Sequence, residues 1–209
     1  MAYPTVSAPY GLIPINLIGG RVFAGATRQI PIASGEGTSI FYGDVVAFNT
    51  DGNLTRDVST NAATPVGVFL GCSYTDPTFG KVFRQYYPAD TAASDIMAYV
   101  QDDPDALFKV AVTAAGTQDV SGVTRTAVGN NSALIQGTGS TTTGNSAVSI
   151  SATTATTLSL PVRIIDVVPE TANTAGSYTE VIVKWNAPYY DETTTTVVGG
   201  HQYLNPVGV

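Results

Sequence analysis

Apolar and polar residues alternate with a period of two in several short runs of this 209-residue chain, and no run has the three-to-four spacing of an amphipathic helix three turns long. The clearest pair is "PVRIIDVV" and "YTEVIVKWN". In the second run Val181, Val183 and Trp185 alternate with Glu180, Ile182 and Lys184. This predicts two strands joined by the polar turn "PETANTAGS", with Trp185 in a core. Upstream, "SIFYGDVVAFNTDGNLTRDV" sets Val46 and Phe48 against Val45 and Ala47. Asp51-Gly52 then supplies the positive-φ pair of a tight hairpin before the return strand at Leu54. Gly67 and Gly71 inside the apolar run "TPVGVFLG" predict a strand with a bulge or a close backbone approach.

Other stretches lack a clean period. Residues 74–87 hold Tyr74, Phe79, Phe83, Tyr86 and Tyr87 without regular spacing and read as a long aromatic loop, folded over its own barrel or docked on a partner. Residues 113–159 are dominated by Thr, Ser, Ala, Gly and Asn and read as edge strands and long hairpin loops, Val148 and Ile150 alternating with Ser149 and Ser151. The expected architecture is all-β: one domain with a barrel or sandwich core over residues 31–186, an extended N-terminal arm over 1–30 and an extended tail over 187–209. An arm of this kind often crosses to a neighbouring subunit.

Between the strand-like runs "DIMAYV" and "ALFKVAV" lies "QDDPD", which packs Asp102, Asp103 and Asp105 around Pro104. Hard cations want several oxygens on a tight loop, so calcium is one reading, although the EF-hand spacing and its distal Glu are absent. The favoured reading is a hairpin turn in which Pro fixes φ and an Asp carboxylate accepts from backbone N–H groups.

Composition narrows the chemistry. The formal net charge is -7, and the nine Lys and Arg residues are scattered singly, so no basic stripe exists to neutralise phosphates and direct nucleic-acid binding is disfavoured. Cys72 is the only cysteine, which excludes an intrachain disulfide and both paired-cysteine zinc patterns, and it reads as a small buried hydrophobe. His201 is the only histidine and has no ligand-like neighbour, so neither a zinc site nor a Ser-His-Asp triad is supported. No catalytic or nucleotide-binding motif is present, and the expectation is a protein that is no enzyme and takes no metal or cofactor. The opening segment lacks a basic region and is broken by Pro4, Pro9 and Pro14, unlike a signal peptide, and no stretch is long enough to span a bilayer. A protein made in a cytoplasm is expected.

The order of landmarks, "YGLIPINLIGG", "GDVVAFNTDGNLTRDVSTNAATPVGVFLG", "AYVQDDPDALFKV" and "LPVRIIDVV", resembles that of small β-barrel structural proteins of tailed-bacteriophage heads, the capsid decoration or cement proteins. The resemblance implies a virion protein on the outer capsid surface that clamps neighbouring copies of the major capsid protein. It also implies a homo-oligomer, with a dimer or trimer expected from long arms and Thr-rich edges. Contacts are expected at the arm, through Leu12, Ile13 and Ile15, and at the aromatic segment, through Tyr74, Phe79, Phe83, Tyr86 and Tyr87. Deleting residues 1–20 is expected to abolish capsid binding and leave the β-body folded. Two alternatives stay open: a carbohydrate-binding or host-recognition module of the virion, and a head-completion or tail protein.

Overall fold

The structure, a computed structural model, describes residues 8–171 and 178–186, together with the backbone of residues 189–191 and 196–198. Strands are numbered in chain order. Five of them, β8 (Ala106–Thr113), β9 (Asn131–Ile135), β10 (Ser149–Ala155), β11 (Val162–Val167) and β12 (Glu180–Trp185), close into a barrel in the order β8-β10-β9-β11-β12, with β12 pairing back onto β8. Only β8 and β10 run parallel in this ring. Period-two alternation makes the interior: Phe108, Val110, Val112, Leu134, Ile150, Val162, Ile164, Val181 and Val183 are all fully buried. Trp185 joins them, its ring tilted 55° against Phe108 with centroids 5.4 Å apart.

The second sheet is built from β2 (Arg28–Pro31), β3 (Val45–Phe48), β4 (Leu54–Arg56), β5 (Gly67–Asp76), β6 (Gly80–Arg84) and β7 (Met97–Gln101), in the order β2-β7-β5-β3-β4 with β6 also on β5. Its two faces meet different cores. Val45 and Val68 pack with the barrel interior, whereas Val46 and Phe69 join Ile30, Ile40, Leu54, Tyr87, Ile96 and Val100 in a second cluster. The predicted bulge in β5 is present: the register with β7 shifts between Phe69 and Gly71, and Gly71 has φ +140°. It changes which positions face inward, from Phe69 before it to Cys72 and Tyr74 after it. Gly67 satisfies the other prediction, because a Cβ there would meet Gln101 O at 2.2 Å.

The hairpin at Asp51-Gly52 joins β3 to β4 as expected, but Gly52 alone has positive φ, and Asn49 closes the turn through Oδ1 to the N–H groups of Asp51 and Asn53. It is therefore a three-residue loop with one left-handed glycine rather than a two-residue turn. The expected β11–β12 pair is present and antiparallel, with one register shift between Ile164 and Asp166.

Four expectations need correction. Residues 74–87 are not a loop: β5 continues to Asp76 and turns back as β6, a hairpin whose period was hidden because Phe79 and Phe83 face water while Tyr74 and Val82 pack on the second core. Residues 113–159 supply β9 and β10 as barrel strands, not edges, because Leu134, Val148 and Ile150 give enough inward apolar surface while Ser and Thr hydroxyls satisfy one another. "QDDPD" is a turn but not a hairpin, since β7 and β8 belong to different sheets. Within the arm, β1 (Ile13–Leu17) pairs antiparallel with β8 of its own chain, and Leu12 enters the barrel core. Deleting residues 1–20 would thus remove core packing as well as the arm. Of the tail, β13 (Tyr189–Asp191) and β14 (Thr196–Val198) form an antiparallel pair; His201 lies outside the described residues.

A buried polar joint ties the sheets together. Asp44, fully buried, accepts from Phe41 N at 2.8 Å and Ser146 Oγ at 2.6 Å, and faces Arg56 Nε at 3.3 Å. Arg56 donates in turn to Gly137 O of the barrel at 2.6 Å. At Nε the contact with Asp44 is ionic without hydrogen-bond alignment. Desolvation pushes the Asp44 carboxyl above its ordinary range, against the opposing pull of Arg56 and its two donors.

Candidate functional site

The acidic turn distributes its carboxylates instead of gathering them. Asp102 pairs with Arg28 at 2.9 Å, Asp103 Oδ1 accepts from Asp105 N at 2.8 Å, and Asp105 meets the buried ammonium of Lys184 at 3.1 Å. A further bond from Ala106 N to Asp103 O at 3.1 Å closes the β-turn. Among the described residues no three His, Cys, Asp or Glu side chains come together as a metal would need. Cys72 is buried as expected, and burial pushes its thiol up to about 12, so it is held protonated.

The two most exposed phenylalanines among the described residues lie on the β5–β6 hairpin. At its tip Asp76 Oδ1 accepts from Thr78 N at 2.8 Å and Phe79 N at 3.1 Å, and Gly80 turns the chain with φ +74°. The hairpin is braced by Asp95, which accepts from Thr75 N at 2.9 Å and Thr75 Oγ1 at 2.8 Å and pairs with Lys81 at 3.1 Å. These three interactions hold the Asp95 carboxyl down at about 2. On this support Phe79 is 75% exposed and Phe83 73% exposed. Phe83 stacks on Tyr99 with centroids 6.4 Å apart, beside an open depression of about 500 Å³ lined also by Tyr42, Leu70, Arg84 and Gln85. Arg84 lies over the ring of Tyr74 at 5.8 Å.

Of the residues expected to make contacts, only Phe79 and Phe83 are strongly exposed. Ile13, Ile15 and Tyr86 are half-buried, Tyr86 being stacked on Phe41 at 5.3 Å. Leu12, Tyr74 and Tyr87 are core side chains, so the exposure expected of them is not found. Tyr87 exchanges backbone hydrogen bonds with Ile40, which commits its ring to the second core. Sequence reasoning missed Tyr99 and Asp95. Tyr99 was signalled by the alternation of "DIMAYV", whereas the role of Asp95 depends on the hairpin it braces.

A similar polar anchor holds the arm. Tyr10 OH donates to Glu180, whose Oε1 also lies 3.1 Å from Lys109 Nζ, and Lys109 sits 5.8 Å from the Tyr10 ring centroid. Burial and the adjoining carboxylate push the Tyr10 hydroxyl far above its ordinary value, so it stays a donor.

No family model, no curated protein and no solved structure matches this chain. No helix among the described residues is long and apolar enough to cross a membrane.

Proposed function

We propose that the protein is a virion structural protein of the capsid-decoration class, which binds the lattice of major capsid protein on the outer surface of a phage head and stabilises it. The observation that carries this reading is the braced β5–β6 hairpin. Two phenylalanines mounted on a fixed support offer large apolar contact area at little cost in conformational entropy. The ordered landmarks of the sequence support it, and repetition over a symmetric lattice lets modest contacts per copy suffice. Purified protein added to shells lacking it should bind and raise their melting temperature, and the double variant Phe79→Ser, Phe83→Ser should bind at least about tenfold more weakly. Shells that neither bind the protein nor gain stability would sink the proposal.

The reading of a carbohydrate-binding or host-recognition module is favoured by one observation, the depression beside Phe83 and Tyr99. Its rings and the polar Arg84 and Gln85 suit the faces and hydroxyls of a sugar. Trp185, in the barrel core, takes no part in it. Retention on a glycan array, lost on Tyr99→Ala, distinguishes this reading from capsid binding.

A further inference from the structure

We propose that residues 8–18 form an exchangeable strap, so that β1 of one molecule pairs with β8 of a second copy of the same chain. This goes beyond the capsid reading, because it holds whether or not a shell is the partner. Four observations combine.

The barrel is complete without the strap. β10 closes the ring on Val112 and Thr113 of β8, whereas β1 occupies the stretch from Ala106 to Lys109. No strand of the ring therefore depends on where β1 comes from.

The socket is specific, and each of its atoms recurs in a second copy. Leu12 is fully buried and its N–H donates to Gly43 O at 2.9 Å; Gly11 N donates to Val148 O at 3.1 Å and Ile18 N to Asp105 O at 2.8 Å. Tyr10 reaches Glu180. Gly11 is required there, because a Cβ would sit 2.7 Å from Gly43 O. Exchange preserves all of these contacts, so it changes little but the connection.

That connection is suited to reopening. Residues 23–27 belong to no strand or bridge, Ala24 to Thr27 are exposed, and nothing lies within 4 Å of a Cβ built on Gly25. Drawn out, five residues span roughly 17 Å, enough to carry the strap away from its own barrel.

The chain at the connector also exposes apolar surface that no other described residue covers. Val22 is 75% exposed and sits immediately before it, and Phe23 is only half-buried. In a reciprocal exchange two connectors cross side by side and cover these side chains, which selects a second copy as the occupant.

Asn16 and Leu107 face each other in the β1–β8 register, and neither is fully buried. Directly opposed antiparallel residues have a Cα separation within disulfide range. The variants Asn16→Cys and Leu107→Cys, each alone, lack a partner within their own chain, and Cys72 is buried and held protonated. The two are unfolded and refolded together, oxidised and run on a non-reducing gel. Straps held on the other chain's β8 give an effective thiol concentration in the millimolar range. About tenfold more covalent heterodimer is then expected than from Asn16→Cys mixed with Thr153→Cys, an exposed control. Equal yields overturn the proposal. The double variant N16C/L107C refolded alone gives a second measurement: interchain disulfides support exchange, and closure within single chains only overturns it.

Discussion

The barrel and the second sheet are both made of short strands with period-two alternation, yet they treat their edges in opposite ways. The barrel returns β12 to β8 and leaves no strand of the ring unpaired. In the second sheet β2, β4 and β6 each pair on one side among the described residues, and the exposed Phe48, Phe79 and Phe83 all belong to this sheet or its turns. Closure consumes backbone and apolar surface alike; an open sheet keeps some of both for a partner. The contrast puts the closed core in one region and the unpaired edges and exposed rings in the other.

The largest expected effect tests the barrel. Phe108→Ala opens a cavity against Trp185 and should cost about 3–5 kcal/mol in urea unfolding. A loss under about 1 kcal/mol would mean that the barrel is not the stabilising unit.

The joint comes next. Asp44→Ala removes the buried carboxylate that faces Arg56 and accepts from Phe41 N and Ser146 Oγ, with an expected loss of about 3 kcal/mol. Hydrogen exchange should then show β3 and β4 opening before the barrel strands. Uniform loss of protection across both regions would contradict a joint that couples two separable units.

A smaller effect concerns the brace. The Asp95 carboxyl is lowered from the ordinary 3.8 to about 2, so its contribution is complete above the unfolded value and is lost as pH falls from 3.8 toward 2. Asp95→Asn should flatten the acid dependence of stability in that window, measured by thermal unfolding at stepped pH. An unchanged slope would show the brace to be idle. The group is solvent-exposed, so the change should be modest.

The smallest stability effect belongs to the surface proposed for binding. Phe79→Ser and Phe83→Ser should each leave unfolding free energy within about 0.5 kcal/mol of the parent, because both rings are mostly in water. A large destabilisation would turn these side chains from contacts into core.

Much of the barrel was legible because β12 alternates without interruption, so that Trp185 could be placed from its neighbours alone. The β3–β4 hairpin was legible for a different reason, the turn chemistry around Gly52. The β5–β6 hairpin was not, because the exposed rings of Phe79 and Phe83 break the apolar alternation of its strands. The Ser- and Thr-rich strands were underrated for want of bulk: Ser132 and Ser149 are buried, and their hydroxyls find partners on other strands, at Ser151 O and Thr113 Oγ1. Of the candidate site, the aromatic content of residues 74–87 is visible in the sequence. Which rings face water depended on pairing between β5, β6 and β7, which no local pattern carries.

Gly71 gives β5 something like a frameshift. Before it, odd-numbered side chains serve the second core; after it, even-numbered ones do. Were Gly71 paired in register instead of bulged, the distal half of the strand would invert, sending Cys72 and Tyr74 outward and Ser73 and Thr75 inward, and would carry the β5–β6 hairpin with it. In this strand a single backbone irregularity decides which side chains reach the core.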